Sequence, residues 1–135
     1  MTSITQLTVG EEVFSLSREV TREGIKAYAD ASGDQNPIHQ DDAVARAVGL
    51  PGVIAHGMLS FGLLSRAVTD WLGDPGRLRR LGVRFSTMVR PGDVVTCKGT
   101  VASVDEAAGT VILNVWVENQ SGERVLSHGE AEIAL

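Results

Sequence analysis

The spacing of apolar positions changes several times along the chain, and each change predicts an element. Over residues 13–20, Val13, Phe14, Leu16 and Val20 alternate roughly with Ser15, Ser17, Arg18 and Glu19, which predicts a strand. Thr21 then supplies a helix cap, Ile25, Tyr28 and Ala29 follow at helical spacing, and Gly33 closes the helix. Asp41 and Asp42 predict the cap and acidic first turn of a short helix through Val48, ended by Gly49, because carboxylates favour helix N-termini. Leu50-Pro51-Gly52 reads as a turn. From His56 to Leu72, the apolar residues Met58, Leu59, Phe61, Leu63, Leu64, Ala67, Val68, Trp71 and Leu72 cover most of a helical circumference. That pattern predicts a buried helix of about 16 residues, ~24 Å long, stopped by Gly73-Asp74-Pro75-Gly76.

Beyond that stop the period becomes that of strands. Leu81, Val83, Phe85, Thr87 and Val89 alternate with Gly82, Arg84, Ser86 and Met88, up to the turn Arg90-Pro91-Gly92-Asp93. Further strands are predicted over 94–104, 111–117 and 124–133, joined by short hairpin-type connections at 105–109 and 119–122. A strand, a buried helix and three to four antiparallel strands describe an α+β domain whose sheet wraps the helix. An open curved sheet of this kind leaves edges that need cover.

The length of 135 residues, without an internal repeat, predicts one domain over residues 1–135. With 43% hydrophobic and 21% charged residues the composition is that of a globular protein, and disorder is not expected. A net charge of −5 gives no global attraction for nucleic acid or an anionic membrane surface, so neither partner is expected. The first ten residues lack a basic region followed by an apolar run, and no stretch approaches about 18 uninterrupted apolar residues. Neither a signal peptide nor a membrane span is expected, and the single cysteine, Cys97, excludes an internal disulfide; together these point to the cytoplasm. His39, His56 and His128 lack the spacing of a zinc site, so no metal is expected.

The candidate chemistry lies in residues 28–39, Tyr-Ala-Asp-Ala-Ser-Gly-Asp-Gln-Asn-Pro-Ile-His. Pro37 fixes its own φ and pushes Asn36 into an extended conformation, so the chain from Asp34 to His39 leaves the preceding helix. Gly33 permits a tight bend, and the Asn36 side chain can hold nearby backbone groups, which specifies the loop at several points. On these residues alone, ordinary turn chemistry and a positioned carboxylate–imidazole pair stand about equally. A second candidate is Gly57, which opens the buried helix. Backbone N–H groups there lack intrahelical acceptors, so the amide could serve as an oxyanion hole approached closely by a substrate.

With Asp34-Gln35-Asn36-Pro37-Ile38-His39 followed by Asp41-Asp42, Ile54-Ala55-His56-Gly57-Met58, Gly73-Asp74-Pro75-Gly76 and Val83-Arg84-Phe85 in order, the chain resembles the MaoC-like (R)-specific hydratase/dehydratase family, also called the hydratase 2 motif. Within it the likeness is greatest to the catalytic subunits of mycobacterial-type (3R)-hydroxyacyl-carrier-protein dehydratases. The resemblance runs from about Tyr28 through Val89. It implies a hot-dog fold, a homodimer or a heterodimer with a related subunit, and interconversion of (3R)-3-hydroxyacyl and trans-2-enoyl thioesters with Asp34 and His39 as the acid/base pair. It implies no separate cofactor, since coenzyme A or the phosphopantetheine of an acyl carrier protein is part of the substrate. Ser65 falls on a family position associated with the pocket, yet it lies ~12 Å along the helix from Gly57, too far to share an oxyanion hole.

Asn36, His56 and Arg84 complete the set of substrate-binding candidates. His56 reads as a hydrogen-bonded helix-start residue ahead of a second base. Arg77, Arg79, Arg80, Arg84 and Arg90 form a basic cluster that is either a solvated strand face or a contact for coenzyme A phosphates or an acidic carrier protein. His128, Trp71 and Trp116 read as surface or packing residues, and Cys97 as a small core residue. The competing functions are a hot-dog acyl thioesterase, which would use a differently placed carboxylate, and a non-catalytic subunit of a dehydratase heterodimer, which would lack the Asp34/His39 pair.

Overall fold

Alternation decides the sheet. In the computed structural model, which describes residues 6–135, the strands β3 (Val94–Asp105) and β4 (Thr110–Glu118) bury every second side chain over most of their length. Cys97 pairs with Val117, Gly99 with Val115 and Val101 with Leu113, so both strands turn their apolar residues to the same face. β5 (Arg124–Ala134) continues that face with Leu126, Ala131 and Ile133. β1 (Glu12–Glu19) and β2 (Leu78–Phe85) complete an antiparallel sheet in the order β1-β3-β4-β5-β2. The first and second strands of the chain therefore form its two edges.

The long helix α3 (Gly57–Leu72) lies across the buried face and packs against all five strands. This is the α+β arrangement that the apolar pattern predicts and the hot-dog fold that the family resemblance implies. Two expectations are corrected. The apolar residues around α3 predicted burial on most sides, but only Ser60, Leu64, Ala67, Val68 and Leu72 are fully buried, at helical i, i+4, i+7 spacing, while Met58 is exposed. Leu59, Phe61, Leu63 and Trp71 are partly buried and pack against the same core, which leaves Met58 as the exposed apolar residue of α3 among those named. The alternation at 81–89 predicted a strand to Val89, yet β2 ends at Phe85. There the Ser86 and Thr87 amides both donate to the Val125 carbonyl, and the Val89 carbonyl is taken by the Ala55 amide, which draws the chain out of the sheet toward the start of α3.

The connection from β1 to α3 carries two shorter helices. In α1 (Arg22–Ser32) the Thr21 hydroxyl accepts from the Gly24 amide, and Gly33 ends the helix at φ 81°, a conformation that favours glycine. In α2 (Asp42–Ala47) the Asp41 carboxylate accepts from the Ala43 and Val44 amides. The Asp42 carboxylate accepts from the Val53 amide at 2.9 Å and pairs with Arg22 at 3.0 Å, which ties α1, α2 and the approach to α3 together. Those contacts, led by the Val53 hydrogen bond, hold its pKa below the usual carboxylate range. Among the described residues no helix is long and apolar enough to cross a membrane. The expectation of no leader in the first ten residues rests partly on residues 1–5, which lie outside the described residues.

Cys97 sits in the core at 1% exposure, and burial pushes its thiol up to about 12 from an ordinary value of 9.0. The unfolded thiol ionises first as pH rises, so this contribution to stability is complete below about pH 9 and is lost progressively toward pH 12. Urea unfolding at about pH 8 and pH 10.5 should therefore show a larger alkaline loss for the native chain than for Cys97→Ala. Equal losses would place the alkaline sensitivity elsewhere.

Candidate functional site

The loop after α1 is fixed by its own side chains. The Asp34 amide donates to the Ser32 hydroxyl at 3.2 Å, the Asn36 amide to the Asp34 carboxylate at 3.2 Å, and the Ile38 amide to the Asn36 side-chain oxygen at 3.2 Å. Pro37 starts a single 3₁₀ turn through His39, with Asn36 extended before it, as the proline requires. The result is a carboxylate on the open side, 55% exposed, and an imidazole on the inner side, 9% exposed.

Contacts across the chain set the orientation of the imidazole. His39 Nδ1 lies 2.7 Å from the Ile54 carbonyl, so Nδ1 carries the proton and Nε2 presents a lone pair. The Ile54 amide in turn donates to the Ile38 carbonyl at 3.3 Å. His56 Nε2 lies 3.0 Å from the Asp34 backbone carbonyl, and its ring stacks on that of His39 with centroids 3.7 Å apart. Asp34, His39 and His56 each offer one donor atom, and these atoms lie within 4.8 Å of one another. Two hydrogen bonds of ~2.8 Å meeting at a tetrahedral water span ~4.6 Å, so a single water fits the set.

Beside this set lies a mostly apolar cavity of about 260 Å³, lined in part by His56, Gly57, Ser60, Phe85, Met88 and Leu126. Gly57 is the first residue of α3, and His56 before it makes no side-chain cap, so the opening amides have no acceptor from that side chain. A Cβ at residue 57 would lie 2.9 Å from the Phe85 ring, which shows how closely the ring covers this helix start.

The other sequence-predicted residues fall in different places. Asn36 shapes the loop from within. The Ser65 hydroxyl donates to the Phe61 carbonyl at 2.9 Å and does not line the cavity. Arg84 is exposed in β2 opposite Ser127, and it too is not among the lining residues. Of the basic cluster, Arg80 is paired with Glu130 at 2.6 Å and Arg77 lies 3.9 Å from Asp74, while Arg79, Arg84 and Arg90 have no ion pair among the described residues. His128 is exposed at φ 50°, and Trp116 lies beneath the Arg124 guanidinium at 4.3 Å. Sequence reasoning missed Ser60, Phe85 and Met88 as cavity walls. Ser60 follows Gly57 by three residues and so shares its side of the helix, a signal that was present; the approach of Phe85 depends on where β2 ends.

A profile of the "MaoC like domain" family matches residues 5–121. The chain is 38% identical over 109 residues to the fatty acid synthase subunit beta of Aspergillus oryzae, covering 78% of this chain and only 5% of that much longer protein. Its fold superposes on the (R)-hydratase of A. caviae involved in PHA biosynthesis with a TM-score of 0.86 and 30% identity, covering 96% of this chain and 98% of the other. A chain of the ChsH1-ChsH2 complex from Mycobacterium tuberculosis aligns with a TM-score of 0.81 and 26% identity, covering 95% and 98% of the two chains.

Proposed function

This chain belongs to the MaoC-like hydratase/dehydratase family, and we propose that it interconverts trans-2-enoyl and (3R)-3-hydroxyacyl thioesters with Asp34 and His39 as its acid/base pair. The observation that carries this reading is a solvent-accessible carboxylate and an oriented imidazole with polar atoms within 4.8 Å of each other, about the span of one bridging water, beside an apolar cavity lined in part by Gly57.

Hydration needs a water delivered to C3, a proton delivered to C2, and support for the negative charge that develops on the thioester oxygen. A water held between Asp34 and His39 loses one proton to the pair as its oxygen bonds to C3. The electron pair of the C2–C3 double bond moves toward the carbonyl, and C2 takes a proton from the pair, so charge and atoms balance. Positioned groups of this kind each contribute on the order of 10²–10⁴ in rate. The Gly57 amide, at the positive end of α3, is assigned to donate to the thioester oxygen as charge grows there, and the absence of a Cβ leaves room for the Phe85 ring that lines the same cavity. The reverse sequence dehydrates a 3-hydroxyacyl thioester. No step is routed through a metal or separate cofactor; coenzyme A or carrier-bound phosphopantetheine enters as part of the substrate.

The assembly that performs this reaction is a dimer in our reading, formed with a second copy or a related subunit. Phe85 at 54%, Met88 at 50% and Met58 at 53% exposure are large apolar side chains at or next to the cavity, and β2 leaves one edge of its backbone unpaired. A stable partner would bury more than about 1,000 Å² there. Light scattering of the purified chain should give twice the 14.3 kDa monomer mass, or a larger complex when co-expressed with a related subunit. A stable monomer under both conditions would contradict the dimer.

The acid/base assignment is tested by Asp34→Asn and His39→Ala. Each should lower hydration of a crotonyl thioester by on the order of 10² or more while circular dichroism stays native, because neither residue belongs to the apolar core cluster that holds the sheet and helices together. Activity within about tenfold of the native chain in either variant would overturn the assignment.

A further inference from the structure

One side chain touches every part of the proposed site without belonging to its chemistry. His56 is 3% exposed, precedes Gly57, stacks on His39, and reaches back 22 residues to the Asp34 carbonyl. Its ring is held on another side by Tyr28 of α1, edge-on with centroids 4.8 Å apart. We propose that His56 is the positioning residue of this site: its Nε2–H fixes the backbone of Asp34 while its ring face fixes the plane of His39. This rests on the reading of Asp34 and His39 as the acid/base pair.

The hydrogen-bond inventory of His56 leaves it no direct part in proton transfer. A carbonyl acceptor at Nε2 requires the proton on that nitrogen, so Nδ1 is left with the lone pair. Nδ1 is buried and has no hydrogen-bond partner among the described residues. Neither nitrogen is therefore free to exchange a proton with a substrate in the cavity. An unpartnered buried nitrogen is also a cost that an apolar ring of similar size would avoid. A residue serving only as core filler gains nothing from it. The contact that offsets this cost is the Nε2–H bond to Asp34.

The arrangement gives the three reacting groups one common reference. His39 is held at Nδ1 by the Ile54 carbonyl and on its face by His56, so rotation of the imidazole about its last side-chain bond would break both contacts. The Asp34 carboxylate extends from a backbone that His56 holds, and His56 Nε2 lies 4.0 Å from its Oδ2. The amide of the next residue, Gly57, is fixed by the same stretch of chain. A misplacement of about 1 Å between reacting groups costs on the order of 10² in rate, so loss of this reference should appear in kcat before it appears in stability or binding.

The experiment compares His56→Phe, which keeps a stacking ring and removes the donor, with His56→Gln, whose amide nitrogen reaches about as far from the backbone as Nε2. Phe should lower kcat for a crotonyl thioester by on the order of 10–10² with KM changed less than about threefold, and Gln should recover about tenfold of that loss. Amide hydrogen exchange at His39 and Gln40, whose bonds close the 3₁₀ turn, should quicken in Phe and return toward native in Gln. A Phe variant within about threefold of native kcat, or one with unchanged exchange, would overturn the proposal. If the Phe variant fails to fold, Gln and His56→Asn, whose shorter amide cannot reach Asp34, are compared instead, and equal kcat for the two would overturn it. Absence of hydration by the native chain would sink the functional reading alone, and the exchange comparison would still decide whether His56 positions the loop.

Discussion

Two imidazole-to-carbonyl hydrogen bonds, His39 to Ile54 and His56 to Asp34, hold the loop at 34–39 against the segment that starts α3. Each histidine is bonded to the strand of chain that carries the other, and the two rings stack between them. A loop closed by its own side chains alone would place Asp34 and His39 near each other. The crossed pair of bonds also fixes which nitrogen of each imidazole is tied to a carbonyl.

This local clamp needs a rigid frame, and the sheet supplies it. α3 is pressed onto all five strands by Leu64, Ala67, Val68 and Leu72, so its N-terminus is a fixed point. The bond from the Ala55 amide to the Val89 carbonyl then joins the entry of α3 to the chain leaving β2, and with it brings Phe85 over Gly57. The cavity is thus a product of where β2 stops as much as of the helix. The same departure leaves Phe85 and Met88 exposed beside it.

Local chemistry was legible in the sequence and long-range placement was not. Thr21, Gly33, Asp41 and Gly73 act through neighbours a few residues away, and each begins or ends its helix as its side chain or its φ requires. The bend that makes Asp34 and His39 a pair is equally local, because Pro37 and Asn36 impose it. The alternation of β3 and β4 likewise reports their half-buried faces directly. Thr87 and Val89 continue an alternating pattern, yet their backbone partners are Val125 and Ala55, which no periodicity reveals. The stacking of His39 on His56 is another such contact between segments, and a histidine before a helix looks the same with or without it. Around α3 the apolar pattern does not separate the fully buried residues from Leu59, Phe61, Leu63 and Trp71, which pack against the core only in part.

The central claim is that the pair at Asp34 and His39 adds water across a double bond and leaves the thioester intact. The most direct measurement incubates the purified chain with a crotonyl thioester, follows the enoyl absorbance and free thiol in parallel, and determines the configuration of the product. The account predicts loss of enoyl absorbance without thiol release and a 3-hydroxybutanoyl thioester of R configuration. Release of thiol with the double bond intact, or a product of S configuration, would contradict it.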